Sequence, residues 1–342
     1  MTVNISKPSI NIREKLAELD KPSGIAGEAV LRADSVQEIR NSIGAGRKNL
    51  IINGRMDVWQ RGASFSAASG YTVDRFRHTN FGGASPTVTK VAGPGDFLNA
   101  IRYTNINGSG SQQIEVEHRM EAGDLPQSGN LTLSYWVRGS KSGQVRTGRI
   151  INGSTGGANT GYSNVNVTTS WTRVTKTITS RSATAGQYCR LFILDSLLSY
   201  FDATSVWLEI TGVQLELGSV ATDFEHRSYG EELALCQRYY QRFGGAAYVG
   251  IASGLSTHLT TSRFTFVNPV QMRTTPSLSF SSLIATDRTI YDLLITNFSG
   301  SVLGAASSYL TCTHQGNAIA SKGAILAVRN GTTGYLAFSA EL

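Results

Sequence analysis

LTLSYWVR, Leu131 to Arg138, is the stretch that decides the fold. Leu131, Leu133, Tyr135 and Val137 fall on one side of an extended chain, and Thr132, Ser134, Trp136 and Arg138 on the other. A period of two marks a strand with one face in a core and one in water, because successive Cβ atoms point to opposite sides. The pattern recurs on both flanks. Upstream, Ile114, Val116 and His118 alternate with Glu115 and Glu117. Downstream, Val206, Leu208 and Ile210 oppose Trp207, Glu209 and Thr211, and the alternation runs on through Val213, Leu215 and Leu217. Gly, Ser, Thr and Asn fill the intervals, as tight turns between strands require. Residues 48–227 therefore read as an antiparallel jelly-roll sandwich of about eight to ten strands.

Composition bounds the rest. The 342 residues are 40% hydrophobic and 16% charged, which excludes a disordered chain. The 36 glycines show no third-residue period, which excludes collagen. Net charge is +7, yet Lys and Arg are scattered singly, with no basic run, zinc-finger spacing or RNA-binding aromatic motif. Nucleic acid is not an expected partner on those grounds. Cys189, Cys236 and Cys312 form no Cys-x-x-Cys pair and read as small buried hydrophobes. MTVNISKPSINIREK at the N-terminus lacks the apolar core of a secretory signal. No apolar run approaches the length of a membrane span, so membrane insertion is not expected either.

Three segments flank or follow the sandwich. Residues 1–47 carry two short amphipathic helices, one on Ile12, Leu16 and Leu19, the other from Ser35 to Ile43. Helices this short need something to dock on, which suits an attachment segment. Residues 228–244 read as one connecting helix, capped by Ser228 with Glu231 three residues on. Leu233, Cys236, Tyr240 and Phe243 form its stripe, which either the next domain or copies of the same helix around an axis must cover. Residues 245–342 return to strand patterns and read as a C-terminal β domain, with a hairpin turn at Asn330–Gly334. The chain is thus mainly β.

Catalytic chemistry is hard to find. His78, His118, His226, His258 and His314 share no metal-ligand spacing, and no nucleophile elbow, Walker loop or dinucleotide fingerprint occurs. Glu115, Glu117, Glu209 and Glu216 are the carboxylates a glycosidase pair would draw on, but solvated strand faces carry such residues routinely. The expectation is no enzyme, no cofactor and no metal. Aromatic residues on polar faces say more. Trp136 and Trp207 lie opposite the aliphatic face, and Trp171 opens a strand beside Thr and Arg. Flat rings can take the C–H face of a sugar while Asn, Arg or Glu bind its hydroxyls. Trp136, Trp171 and Trp207 are therefore candidate glycan-binding residues.

NLIINGRMDVWQRGASFSAASGYTVDRFR, Asn49 to Arg77, resembles the opening of jelly-roll domains similar to carbohydrate-binding modules. GVQLELGSVATDFEHRSYGEELALCQRYYQRF, Gly212 to Phe243, resembles a signature of tailed-bacteriophage structural proteins such as tail fibres. NPVQMRTTPSLSF, Asn268 to Phe280, and the final Ala340-Glu341-Leu342 resemble that family as well. The resemblance implies a virion component, a homotrimeric tail fibre assembled in the host cytoplasm. Residues 1–47 would join it to other virion proteins. Leu233, Cys236, Tyr240 and Phe243 would line its trimer interface. Tyr291 and Tyr335, with Tyr248 and Tyr309 nearby, would contact host cell-surface glycan from the last domain. A head fibre or tail adaptor of purely structural role, and a stand-alone polysaccharide-binding module, are the alternatives. Such jelly rolls can hold a structural calcium near the first strand, where Asp57 stands here, but no acidic cluster accompanies it.

Overall fold

The computed structural model describes residues 47–66, 69–81, 86–104, 113–125, 129–152, 163–179, 188–195, 200–286, 292–299, 303–316, 318 and 322–342. The chain divides into two units, Met1–Leu50 and Ile51–Leu342. The two N-terminal helices expected within 1–47 lie outside the described residues, and every described helix and strand belongs to the second unit.

Leu131–Gly139 is the strand that its alternation predicts, paired on both sides with strands that come later in the sequence, Thr172–Ile178 and Leu208–Leu217. In chain order the strands are β1 (Ser64–Ser66), β2 (Gly70–Tyr71), β3 (Phe76–Phe81), β4 (Thr87–Ala92), β5 (Asn99–Thr104), β6 (Gln113–Glu121) and β7 (Leu131–Gly139). Then come β8 (Gly143–Thr147), β9 (Arg149–Asn152), β10 (Ser163–Val167), β11 (Thr172–Ile178), β12 (Tyr188–Asp195) and β13 (Leu208–Leu217). They form two antiparallel sheets, β1-β4-β5-β13-β7-β11 and β10-β8-β12-β6-β3-β2, with β9 beside β12. There are more strands than the sequence pattern predicts. The surplus is in pieces such as β1, β2 and β9, of 3, 2 and 4 residues, too short to show alternation.

The core lies between the sheets. Leu133, Tyr135, Val137, Ile101, Tyr103, Leu208 and Leu215 of the first sheet are buried, as are Phe76, Val116, Val145, Leu191 and Ile193 of the second. His118 belongs to this core, its ring edge-on to Phe76 at 5.3 Å. Burial, helped by the Arg75 charge, holds its pKa well below the usual histidine range, so it is a neutral core residue.

The connecting helix is shorter than its stripe suggests. Helix α1 spans Tyr229–Gln237, and Tyr240–Gly245 is a strand, β14. The expected start is correct: Ser228 accepts from the Glu231 amide while the Glu231 carboxylate takes the Ser228 amide. The expected end at residue 244 is not, because Tyr240–Gly245 pairs along its whole length with Gly334–Ser339. The sheet hydrogen bonds and the β-favouring Tyr and Phe outweigh a helical spacing that four residues happen to share. The stripe is also covered within the chain. Cys236 and Tyr239 pack on Ile52 and Val58, with Leu233, Leu235 and Leu342 around them. Tyr240 lies under the Arg61 guanidinium at 3.6 Å, and Phe243 meets Phe266 at 4.6 Å. A stripe covered in this way does not call for a three-fold axis.

The remaining strands are β15 (Gly250–His258), β16 (Thr261–Val267), β17 (Ser277–Ser281), β18 (Leu283–Thr286), β19 (Asp292–Phe298), β20 (Ser307–His314), β21 (Gly323–Val328) and β22 (Gly334–Ser339). Six of them close a barrel, β15-β16-β20-β19-β18-β21, and β14-β22-β17 form a small sheet. Phe264, Leu283, Leu310, Cys312, Leu326, Leu336 and Phe338 fill a core common to barrel and sheet. Cys236 and Cys312 are free and buried. Among the described residues no helix is long and apolar enough to cross a membrane.

Candidate functional site

The outer face of the first sheet is where polar side chains and tryptophans alternate with the core. Register sets its rows. Trp136 on β7 stands opposite Thr211 on β13 and Arg173 on β11. One row on, Arg138 stands opposite Glu209, which also faces Arg102 on β5.

Beside Trp136 the face opens into a cleft of about 470 Å³, lined by Pro94, Gly95, Asp96, Phe97, Trp136, Arg173, Gly212, Asp223, Phe224 and His226. Phe97 meets Phe224 edge-on at 5.1 Å, and His226 stacks on Phe97 at 6.0 Å. Gly212 makes this arrangement possible. It sits at φ +61, in a bulge where the β13 register slips between Thr211 and Gln214. A Cβ there would come within 2.7 Å of the Phe97 ring and 3.0 Å of Trp136. The cleft wall is the chain leaving β13, which folds back so that the Thr222 carbonyl accepts from Arg173, whose Nη2 also donates to Ser134 Oγ at 3.2 Å. Glu216 secures that return, accepting from the Thr222 amide at 2.9 Å and its hydroxyl at 2.5 Å. The result is an open aromatic cleft with two carboxylates, an imidazole and a guanidinium on its walls, which is equipment for holding a polar ligand by ring faces and hydrogen bonds.

The row beyond is built differently. Arg138 lies 4.8 Å from the centre of Trp171 and 5.6 Å from Trp207, and Arg102 lies 4.6 Å from Trp207. Thus Trp136 lines a cleft, whereas Trp171 and Trp207 hold guanidinium groups. Tyr335 carries the Arg242 guanidinium over its ring at 4.3 Å, and Tyr291 lies outside the described residues. Tyr248 and Tyr309 are exposed, but they sit in the connection after β14 and on the barrel wall, away from the sheet that carries the tryptophans.

The carboxylates of a glycosidase pair are otherwise engaged. Glu117 takes hydrogen bonds from Arg77 at 3.1 Å, Arg119 at 2.9 Å and Arg190 at 2.6 Å. Glu209 is shared by Arg102 and Arg138, and it lies on a different sheet from Glu117. Asp57 pairs with Arg55 at 3.3 Å and accepts from Asn99 at 2.8 Å. Among the described residues no group of three or more His, Cys, Asp or Glu could hold a metal ion.

Of the segments that carry the family resemblance, Gly212–Phe243 gives Gly212, Asp223, Phe224 and His226 to the cleft, and its later part meets Asn49–Arg77 and the final residues at the joint between sandwich and barrel. Asn53, at φ +63, accepts from the Asp57 and Val58 amides at 3.0 Å and donates to the Val58 and Asp74 carbonyls at 2.9 and 3.0 Å. Its own amide reaches Glu232 of α1 at 2.5 Å. Glu341 takes Arg61 at 2.9 Å and the buried Arg75, whose guanidinium also covers Tyr239 at 3.5 Å. At the joint these motifs hold the fold together.

No family model matches the chain, and no curated protein matches it. Among solved structures the chain is similar to a putative sugar binding protein from Bacteroides thetaiotaomicron VPI-5482, at 12% identity and a TM-score of 0.35, over 50% of this chain and 100% of that one. It is similar to the enzymatically active domain of tailspike protein 4 of bacteriophage CBA120, at 13% identity and a TM-score of 0.35, over 50% of this chain and 22% of that one. It is also similar to TmCBM61 in complex with beta-1,4-galactotriose, at 16% identity and a TM-score of 0.32, over 50% of this chain and 100% of that one. At such scores these likenesses say nothing about the chemistry of this chain.

Of the residues that line the cleft, the sequence singles out Trp136 alone and not Phe97, Asp96, Arg173, Asp223, Phe224 or His226. One signal was there to read. The apolar phase shifts by one residue between Ile210 and Val213, which marks a bulge at Gly212, and bulges re-aim neighbouring side chains.

Proposed function

We propose that this protein binds glycan on the outer face of its first sheet, as a non-enzymatic fibre component of a bacteriophage virion joined to its other proteins through residues 1–47. The cleft beside Trp136 carries the glycan part of the reading. It combines an indole, two further aromatic rings and four charged or titratable side chains in one open concavity, the mix that a sugar's C–H faces and hydroxyls require. The virion part rests on the sequence resemblance at Gly212–Phe243.

Trp136→Ala tests the cleft. Binding of the purified chain to host surface polysaccharide should fall at least about tenfold, the loss of one stacked ring and its buried area. The thermal midpoint should move little, because the indole lies on the outer face. Unchanged glycan binding with the ring removed would count against the site.

The covered stripe on α1 favours a second reading, a single-chain virion adaptor or decorating protein. Light scattering separates the two: three chains of 36.7 kDa give a mass near 110 kDa, and one chain gives the adaptor.

A further inference from the structure

The row next to the cleft holds an arrangement that stacking on sugar does not need. Glu209 is fully buried, and it takes the Nε–H of Arg102 at 2.6 Å and the Nε–H of Arg138 at 2.5 Å. Arg102 adds its Nη2 to the same carboxylate. Trp171 and Trp207 then brace the guanidinium planes, with Arg138 4.8 Å from one ring centre and 5.6 Å from the other. Arg138 is therefore fixed from below by a charge and beside it by two rings, and Arg102 by the same charge and by Trp207 at 4.6 Å. What stays outward is the far edge of each fork: Nη1 and Nη2 of Arg138 and Nη1 of Arg102 have no protein hydrogen-bond partner among the described residues. The two side chains are 31% and 32% exposed, so these N–H groups reach solvent.

The charge balance points the same way. Within this row Arg102 and Arg138 stand on either side of Glu209, while Arg173 belongs to the Trp136 row, beside the Asp96 and Asp223 carboxylates of the cleft. A buried acid that spends both oxygens on two arginines leaves one positive charge over, displayed as oriented N–H pairs. Parallel N–H donors on a fixed guanidinium match the two oxygens of a carboxylate, sulfate or phosphate, and a braced arginine loses little freedom on binding.

We infer that the Arg102–Glu209–Arg138 row, braced by Trp171 and Trp207, is an oxyanion subsite that selects an acidic glycan. The inference rests on the proposal that this face binds glycan, and it names the class. A neutral sugar unit lies in the cleft, where Asp96 and Asp223 would repel an acid, while the charged substituent of a neighbouring unit lies over Arg138.

The experiment compares acidic and neutral forms of one backbone, using the full-length chain. The probes are polygalacturonate against its methyl-esterified form, and dextran sulfate against dextran, with poly(dT) as a non-glycan polyanion. The variants are Arg138→Lys, Arg138→Ala and Trp136→Ala. Lysine keeps a charge for Glu209, so Arg138→Lys should melt with the wild type even where Arg138→Ala does not fold, but it lacks the fork. Expected is at least about tenfold tighter binding of one acidic form than of its neutral form, reduced about tenfold by Arg138→Lys and weakened by added salt. Whether polygalacturonate or dextran sulfate is preferred tells carboxylate from sulfate. Equal binding of acidic and neutral forms, lost in Trp136→Ala, would overturn the subsite and leave the glycan reading standing. No binding of any glycan overturns both. Tighter binding of poly(dT) than of every acidic glycan overturns the inference in favour of single-stranded nucleic acid.

Discussion

At Gly212 the absence of one side chain keeps the cleft open. Alanine there meets two costs together: a backbone at φ +61, which an L-residue adopts reluctantly, and a Cβ 2.7 Å from the Phe97 ring. Gly212→Ala should destabilise the protein by about 1–3 kcal/mol in denaturant titrations and weaken glycan binding, because Phe97 must give way. Loss of stability with intact binding would show that the ring position does not matter to the site. Asp74 makes a different kind of prediction. Burial pushes its carboxyl up to about 6, against the Arg61 charge and the Gln60 hydrogen bonds, which act the other way. The unfolded chain releases that proton near the ordinary value of 3.8, so between there and about 6 the native state binds more protons. The contribution of Asp74 is thus fully present below 3.8 and is lost as pH rises through about 6, a change on the order of 3 kcal/mol. Asp74→Asn should flatten this part of the stability–pH curve. An unaltered slope in the variant would mean that other groups set it.

A helix of nine residues depends on its ends, and α1 begins with a complete capping box. Ser228→Ala removes the acceptor for the Glu231 amide and should cost about 1 kcal/mol, read as a shift in thermal midpoint without loss of glycan binding. A decline in glycan binding in that variant would couple α1 to the cleft. The start of α1 was legible because capping is local chemistry, written in Ser228 and Glu231. Its end was not, since Tyr240–Gly245 becomes a strand only through Gly334–Ser339, about a hundred residues away in sequence. The sandwich obeys the same rule. Long strands such as Leu131–Gly139 declare themselves by alternation, whereas β2 and β9 exist only as partners to β3 and β12. At the site, Trp136 was visible as an aromatic on a polar face. Phe224 and His226 were not, because the fold of the chain after β13 places them, and no local period encodes that return.

Within the second unit, the sandwich is bonded to the small β14-β22-β17 sheet, which shares its core with the barrel, and these bonds form the joint between the two halves. Glu341 ties Arg61 and Arg75 of the sandwich to β22, the Tyr71 hydroxyl and Arg119 reach the main-chain oxygen of Leu342 at 3.1 and 2.5 Å, and Gln60 Nε2 donates to the Tyr240 carbonyl at 2.8 Å. Arg75 is 1% exposed, so without Glu341 its charge is left buried among Tyr239, the Arg119 carbonyl and apolar side chains. Glu341→Ala should then cost about 3–5 kcal/mol, the usual penalty for stripping one member from a buried pair. The joint also bears on cooperativity, and the chain carries its own probes for it. Trp136, Trp171 and Trp207 lie in the sandwich and Trp59 stands next to the joint residues Gln60 and Arg61, so with Trp59→Phe the fluorescence reports on the sandwich alone. Cys312 lies in the barrel core, fully buried and with its thiol pushed up to about 11, so it reacts with a thiol reagent only when the barrel opens. In a Trp59→Phe, Cys189→Ser, Cys236→Ala background the two signals should change at the same denaturant concentration, because opening either half breaks the joint that both share. Adding Glu341→Ala should pull them apart. Separate transitions already present with Glu341 in place would show that the joint positions the barrel without coupling its stability to the sandwich, and a glycan face on one half would then be mechanically independent of the other.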